Sequence, residues 1–181
     1  GIETSCLGMG CASLGSRVSG AVGTRALERA WDAGLRWFDV APAYGAGQAE
    51  EILGQFLKTR GSAVSEVGLC TKVGLLPPPQ SGPKRLIRAT LRPVMKAVGP
   101  LRAAIRRSGA TANRRVDLTP DLLRISLEQS LKRLGVEQVA LYALHNAQPE
   151  DMQREDLLRV LENLVTSGKA RTISVAGDAE A

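Results

Sequence analysis

Four titratable side chains stand out by where they fall along the chain: Asp39, Tyr44, Lys72 and His145. Asp39 and Tyr44 lie five apart in the stretch Trp37 to Gly45, WFDVAPAYG. Lys72 sits in VGLCTKVG, and His145, the chain's one histidine, ends VALYALH. The first stretch opens on Trp37 and Phe38, which with Leu35 make Leu35 to Phe38 apolar but for Arg36, of the kind that forms a buried strand. It ends in Pro42, Gly45 and Gly47, which punctuate a loop. A carboxylate near the end of a buried strand is costly unless it is paired. A tyrosine on the loop just past that strand can point into a site. A carboxylate, a phenol, an ammonium and an imidazole are groups that hold or move protons. At the ends of three successive strands they look like one site assembled by a parallel sheet.

The elements that would position them follow one another in a regular order. Cys6 to Gly15, CLGMGCASLG, reads as a short strand and its loop. Thr24 to Ala33 reads as a helix, with Leu27 and Trp31 four apart and Gly34 as its stop. The strand carrying Asp39 comes next. Ala49 to Lys58 is a second helix, with Ile52, Leu53, Phe56 and Leu57 on one side, and Val67 to Val73 is the next strand. Leu118 to Gly135 is the clearest helix. Thr119 is its N-cap, Pro120 takes the first helical position, and Leu118 can staple to Leu123. Val139 to Leu144 is a fourth strand. A further helix opens at Pro149 or Glu150 and runs to Thr166, Gly168 ends it, and Thr172 to Ala176 is a fifth strand. Strand and helix in alternation predict a parallel sheet with right-handed crossovers. A closed barrel and an open doubly wound sheet both fit that order. No strand is followed by a GxGxxG turn, which disfavours the open dinucleotide fold. Polar residues at the C-terminal ends of several successive strands favour the barrel.

Between the third strand and the Leu118 helix lies a stretch of different character, residues 75–117. Leu75 to Val116 holds ten of the 24 Lys and Arg residues and no acid, so the remainder, with 14 basic and 18 acidic residues, is net −4 although the chain is +6. Leu76 to Gly82, LPPPQSG, cannot be regular structure. Lys84 to Val98 can be helical with a fault at Pro93. Leu86, Ile87, Leu91 and Val94 fall on one side of it and Arg85, Arg88, Arg92 and Lys96 on the other. This basic amphipathic insert must lie on something. It could form a lid over the strand ends, or a solvated helix packed on their rim. It has no aromatic residues for base stacking, and no nucleic-acid or membrane partner is expected.

At 181 residues the chain is long enough for one domain with a real core. Its composition, 44% hydrophobic and 23% charged, is that of an ordinary globular protein. No apolar run approaches the ~18 residues of a membrane span, and the start shows no signal-peptide pattern. Cys6, Cys11 and Cys70 show no metal-ligand spacing and are expected to be reduced core residues of a cytoplasmic protein. With one histidine and no clustered thiols or carboxylates, no metal site is expected. No Ser-His-Asp order is visible.

Taken together, these pieces resemble the aldo-keto reductase superfamily. The resemblance is carried by FDVAPAYG with Asp39 and Tyr44, TKVG with Lys72, SLEQSLKRLGVEQVALYALH ending in His145, and LENLVTSGKARTISVAG. They occur in the family's order and cover nearly the whole chain outside the insert. The fold this implies is an α/β (β/α)8 TIM barrel, here incomplete, with about five of the eight βα units and the basic helical insert after strand 3. Such barrels usually need roughly 250 residues. Residues 1–181 therefore read as a single partial barrel domain, cut slightly at the front and heavily at the back. The loops and the long insert after TKVG are similar to those of bacterial sugar or aldose dehydrogenase-like members.

The resemblance implies reversible, NADP- or NAD-dependent reduction of a small-molecule carbonyl, or oxidation of a sugar or alcohol. Tyr44 would be the general acid. An ordinary phenol titrates near ~10, and the Lys72 ammonium would favour its phenolate. Asp39 would pair with Lys72 and border the cofactor, and His145 would hydrogen-bond the substrate carbonyl. Asn146, directly after His145, could line the substrate pocket or serve the loop into the next helix. At the fifth strand the family commonly has Gly-Val-Ser-Asn, whose Ser and Asn hold the nicotinamide carboxamide. This chain has Ser174-Val175-Ala176-Gly177, so Ala176 and Gly177 would meet the cofactor through backbone groups, or bind it more weakly. A non-catalytic nicotinamide-binding regulatory module and an inactive truncated remnant are the alternative readings.

Overall fold

The computed structural model describes residues 2, 4–77 and 113–177 of the chain. The strands, in chain order, are β1 (Gly8–Gly10), β2 (Trp37–Asp39), β3 (Gly68–Val73), β4 (Leu75–Leu76), β5 (Arg114–Arg115), β6 (Val139–His145) and β7 (Ala170–Ala176). The described α-helices are α1 (Gly20–Asp32), α2 (Gln48–Lys58), α3 (Pro120–Leu134) and α4 (Glu155–Thr166). The expected helix over Lys84–Val98, and most of the 75–117 insert, lie outside the described residues.

Five strands make one sheet in the order β1-β2-β3-β6-β7, and every neighbouring pair is parallel. Spatial order thus follows chain order. A doubly wound sheet reverses direction at a switch point, and this sheet does not. It is wound as a (β/α) barrel is wound, with five strands of the eight.

The register sorts the side chains into two faces. Asp39 is level with Cys70, Lys72 with Ala143, and His145 with Ala176. Alternation along each strand puts these six on one face and Phe38, Leu69, Thr71, Tyr142 and Leu144 on the other. The second group meets the helices. The Phe38 ring lies 6.4 Å from that of Phe56 in α2, and the Tyr142 hydroxyl donates to the Leu123 carbonyl of α3 at 2.9 Å. Leu27, Leu53, Leu127, Leu144 and Leu157 are among the side chains wholly buried in this layer. Burying each such leucine contributes roughly 1.5–3 kcal/mol, so the sheet is held from its helix side. The titratable face is left for chemistry.

Local signals placed α3 well. Thr119 accepts a hydrogen bond from the Leu122 amide at 3.1 Å, Pro120 is the first helical residue, and Gly135 caps the end in a left-handed conformation. Leu118 and Leu123, the expected staple, are both buried. Other boundaries moved. The first helix begins at Gly20 rather than Thr24, because Ser19 and not a residue near Thr24 takes the cap position. The segment expected to open a helix at Pro149 forms a 3-10 turn, Pro149–Gln153, and α4 starts only at Glu155. Asp151 explains the interruption. Its carboxylate accepts from the Gln148 backbone amide at 2.9 Å, which closes the turn on itself, and it also pairs with Arg115 at 3.0 Å. Cys6 was expected in the core and is instead exposed, ahead of the start of β1 at Gly8.

Helices α2 and α3 approach closely at Gly54. A Cβ there would stand 2.3 Å from the Arg133 carbonyl oxygen and 2.9 Å from the Leu134 Cα, both backbone atoms of α3. Backbone cannot swing aside as a side chain can. Gly54→Ala is therefore expected to lower stability by about 1–3 kcal/mol, read as a lower urea midpoint with unchanged slope.

Candidate active site

Asp39 ends β2, and Lys72 lies near the end of β3, two residues beyond Cys70, which is level with Asp39. Their side chains meet: the Lys72 Nζ donates to Asp39 Oδ1. The same ammonium donates to the Val40 carbonyl and to the Tyr44 hydroxyl, each at 3.3 Å. Lys72 is almost fully buried, whereas Asp39 keeps part of its carboxylate open to the mouth. A buried ammonium without a partner would shed its proton. Here burial acts against the charge, but the hydrogen bond and negative charge of Asp39 outweigh it, and the Lys72 pKa is raised. Lys72 therefore stays charged throughout the neutral range.

Tyr44 is carried there by a tight turn. Its amide donates to the Ala41 carbonyl at 3.0 Å, and it opens a 3-10 turn, Tyr44–Gly47. Gly45 follows with φ 59°, and a Cβ on it would lie 2.9 Å from the Leu14 carbonyl oxygen. Only glycine meets both conditions, and that is the local reason the motif reads Tyr-Gly. His145 ends β6, with its ring edge-on to Tyr44 at a centroid separation of 6.3 Å. Gly74 lets this happen. At φ 115° it passes so near the His145 carbonyl that a Cβ would sit 2.5 Å from that oxygen. Burial first, and then the Lys72 charge, lower the His145 pKa, with Asp39 partly opposing. Imidazole is therefore neutral at pH 7 and can donate from one ring nitrogen.

Asp39, Tyr44, Lys72 and His145, expected together from their spacing, thus stand together at one end of the sheet. Asn146 is the next residue after His145, exposed, with its backbone N–H donating to the Ala176 carbonyl at 2.7 Å. Ala176 and Gly177 stand at the C-terminal end of β7, beside His145 and Asn146. Two contributors escaped the sequence reading. The Val40 carbonyl left no signal, because every residue has a carbonyl. Cys70 could have been found, since it precedes Lys72 by two on the same strand face and is level with Asp39.

Burial, reinforced by the neighbouring Asp39, pushes the thiols of Cys11 and Cys70 up to about 12. Only thiolate attacks alkylating reagents. Iodoacetamide at pH 8 should therefore modify Cys6 alone in the native protein and all three cysteines after unfolding, as counted by mass spectrometry.

A model of the aldo/keto reductase family matches residues 6–180. D-threo-aldose 1-dehydrogenase of a Pseudomonas species is 30% identical over 97% of this chain and 50% of its own length. Pyridoxal 4-dehydrogenase of Microbacterium luteolum is 31% identical over 81% of this chain and 41% of its own. Among solved structures, glycerol dehydrogenase AKR11B4 of Gluconobacter oxydans superposes with a TM-score of 0.69 at 25% identity, over 98% of this chain and 46% of that one. The chain spans about half the length of the curated relatives it matches. A sequentially wound parallel sheet with Asp, Tyr, Lys and His at one end, matched by that family along almost its whole length, leaves one assignment: the chain belongs to the aldo/keto reductase family.

Proposed function

We propose that this protein is an NAD(P)-dependent oxidoreductase that reduces an aldehyde or ketone, or in reverse oxidises a sugar or alcohol. The observation that carries the reading is the Lys72 ammonium, held by Asp39 and directed at the Tyr44 hydroxyl at 3.3 Å. That is a proton donor with a fixed positive charge beside the oxygen that will lose the proton. The names of the relatives, an aldose dehydrogenase, a pyridoxal dehydrogenase and a glycerol dehydrogenase, support small carbonyls, sugars and polyols as substrates.

A reduced nicotinamide, when bound, supplies the hydride that goes to the carbonyl carbon. Tyr44 gives its proton to the carbonyl oxygen, and the phenolate left behind is stabilised by Lys72. Asp39 keeps Lys72 charged and oriented while that negative charge appears. The neutral His145 ring donates to the carbonyl oxygen and fixes where it sits relative to Tyr44. In the oxidative direction Tyr44 is the base. Ala176 and Gly177 carry no polar side-chain atoms, so a nicotinamide beside the end of β7 would be met there by their backbone groups.

The test is steady-state turnover, following NADPH or NADH absorbance with a panel of aldoses, aromatic aldehydes and polyols. Turnover that requires one of these substrates supports the reading. Absence of turnover with every pair, in a protein that binds the nucleotides, would leave a binding module rather than an enzyme.

A further inference from the structure

The ends of β6 and β7 meet at one corner of the mouth. His145 and Ala176 are level, and the residues that follow them, Asn146 and Gly177, lie against each other. Asn146 has φ 55°, in the left-handed region that asparagine enters more readily than most residues. Its side-chain oxygen lies 3.0 Å, and its Cα 3.3 Å, from where a Cβ on Gly177 would stand. A side chain at 177 and the Asn146 amide therefore compete for one space, and in this chain the amide has it.

The side-chain amide of this exposed residue makes no hydrogen bond among the described residues. Its neighbours offer little else. Ala176 and Gly177 have no polar side-chain atoms, and the Ser174 hydroxyl, further down β7, donates to the Val175 carbonyl at 3.3 Å. A primary carboxamide has an N–H2 that donates and a carbonyl that accepts, and a second amide matches both ends at once. Resting on the nicotinamide reading above, we propose that Asn146, whose amide takes the space a side chain at 177 would fill, binds the carboxamide of the nicotinamide ring. The Asn146 oxygen accepts from the ring's amide N–H2, and its nitrogen donates to the ring's amide carbonyl. Asn146 then serves the cofactor rather than the substrate. The missing side chain at 177 becomes a requirement of the site instead of a loss.

The test compares NADPH with the reduced 3-acetylpyridine analogue, which keeps the carbonyl and lacks the N–H2. Both are titrated by nucleotide fluorescence into the wild-type protein, Asn146→Gly and Gly177→Ala. Glycine accepts the left-handed φ, so N146G removes the amide without backbone strain. G177A keeps the amide but crowds it. The wild type should bind NADPH roughly three- to tenfold more tightly than the analogue, the worth of one hydrogen bond. N146G should bind the two about equally, and G177A should narrow the gap even where N146G fails to fold. A wild type that binds both equally, or variants that keep its discrimination, would overturn the assignment of Asn146 alone. A wild type that binds neither nucleotide would overturn the nicotinamide reading, and this inference with it.

Discussion

Replacing Tyr44 with Phe is expected to lower carbonyl reduction by about 10²- to 10⁴-fold, the usual contribution of a positioned general acid. Nucleotide binding should be nearly unchanged. The substitution removes one hydroxyl and little else. The ring can keep its edge-on contact with His145, at 6.3 Å between centroids, and the tight turn through Gly45 does not involve the phenol. What disappears is the oxygen 3.3 Å from Lys72. Neither neighbour replaces it well. Lys72 holds its proton tightly because Asp39 raises its pKa against the effect of burial, and His145 is lowered by burial and by Lys72, so it carries no extra proton at pH 7. Turnover measured beside a fluorescence titration separates the two effects. Equal turnover in the variant and the wild type would remove Tyr44 from the chemistry.

Replacing Arg133 with Ala should be the most damaging single change to stability, about 3–5 kcal/mol. Glu50 in α2 is wholly buried, where a carboxylate is tolerated only with partners. Among the described residues it has two: the Thr71 hydroxyl of β3 donates to it at 2.8 Å, and the Arg133 Nε of α3 at 2.6 Å. Removing the guanidinium strands the charge with one neutral donor. A loss of 3 kcal/mol corresponds to a melting temperature lower by roughly 6–12 °C for a domain of this size. The paired control is Glu50→Leu with Arg133→Leu. Replacing both ends of a buried pair by apolar groups is often near neutral, so the double variant should recover most of the loss. If Arg133→Ala alone melts like the wild type, the pair does not support the fold.

Much of this protein was legible in order along the chain. The alternation of apolar runs and amphipathic stretches gave a parallel sheet. Thr119, Pro120 and Gly135 gave the ends of α3, because capping and left-handed stops are decided within a few residues. The pairing of Asp39 could be anticipated as well, since a carboxylate at the end of a buried strand needs a partner. What only the tertiary structure decided is register and close approach. Which residue of β2 lies level with which of β3 determines that Lys72 reaches both Asp39 and Tyr44. The Glu50–Arg133 pair spans 83 positions, and either residue alone reads as an ordinary charge on a helix surface. Arg115 and Asp151, which pair at the 3-10 turn before α4, stand 36 positions apart. Asn146 and Gly177 meet because two strand ends are level, and no local pattern marks either residue as the other's neighbour. Local sequence fixes what a segment prefers to be. Contacts between segments far apart in sequence are set by the packing that brings them together, and in this protein those contacts make the site.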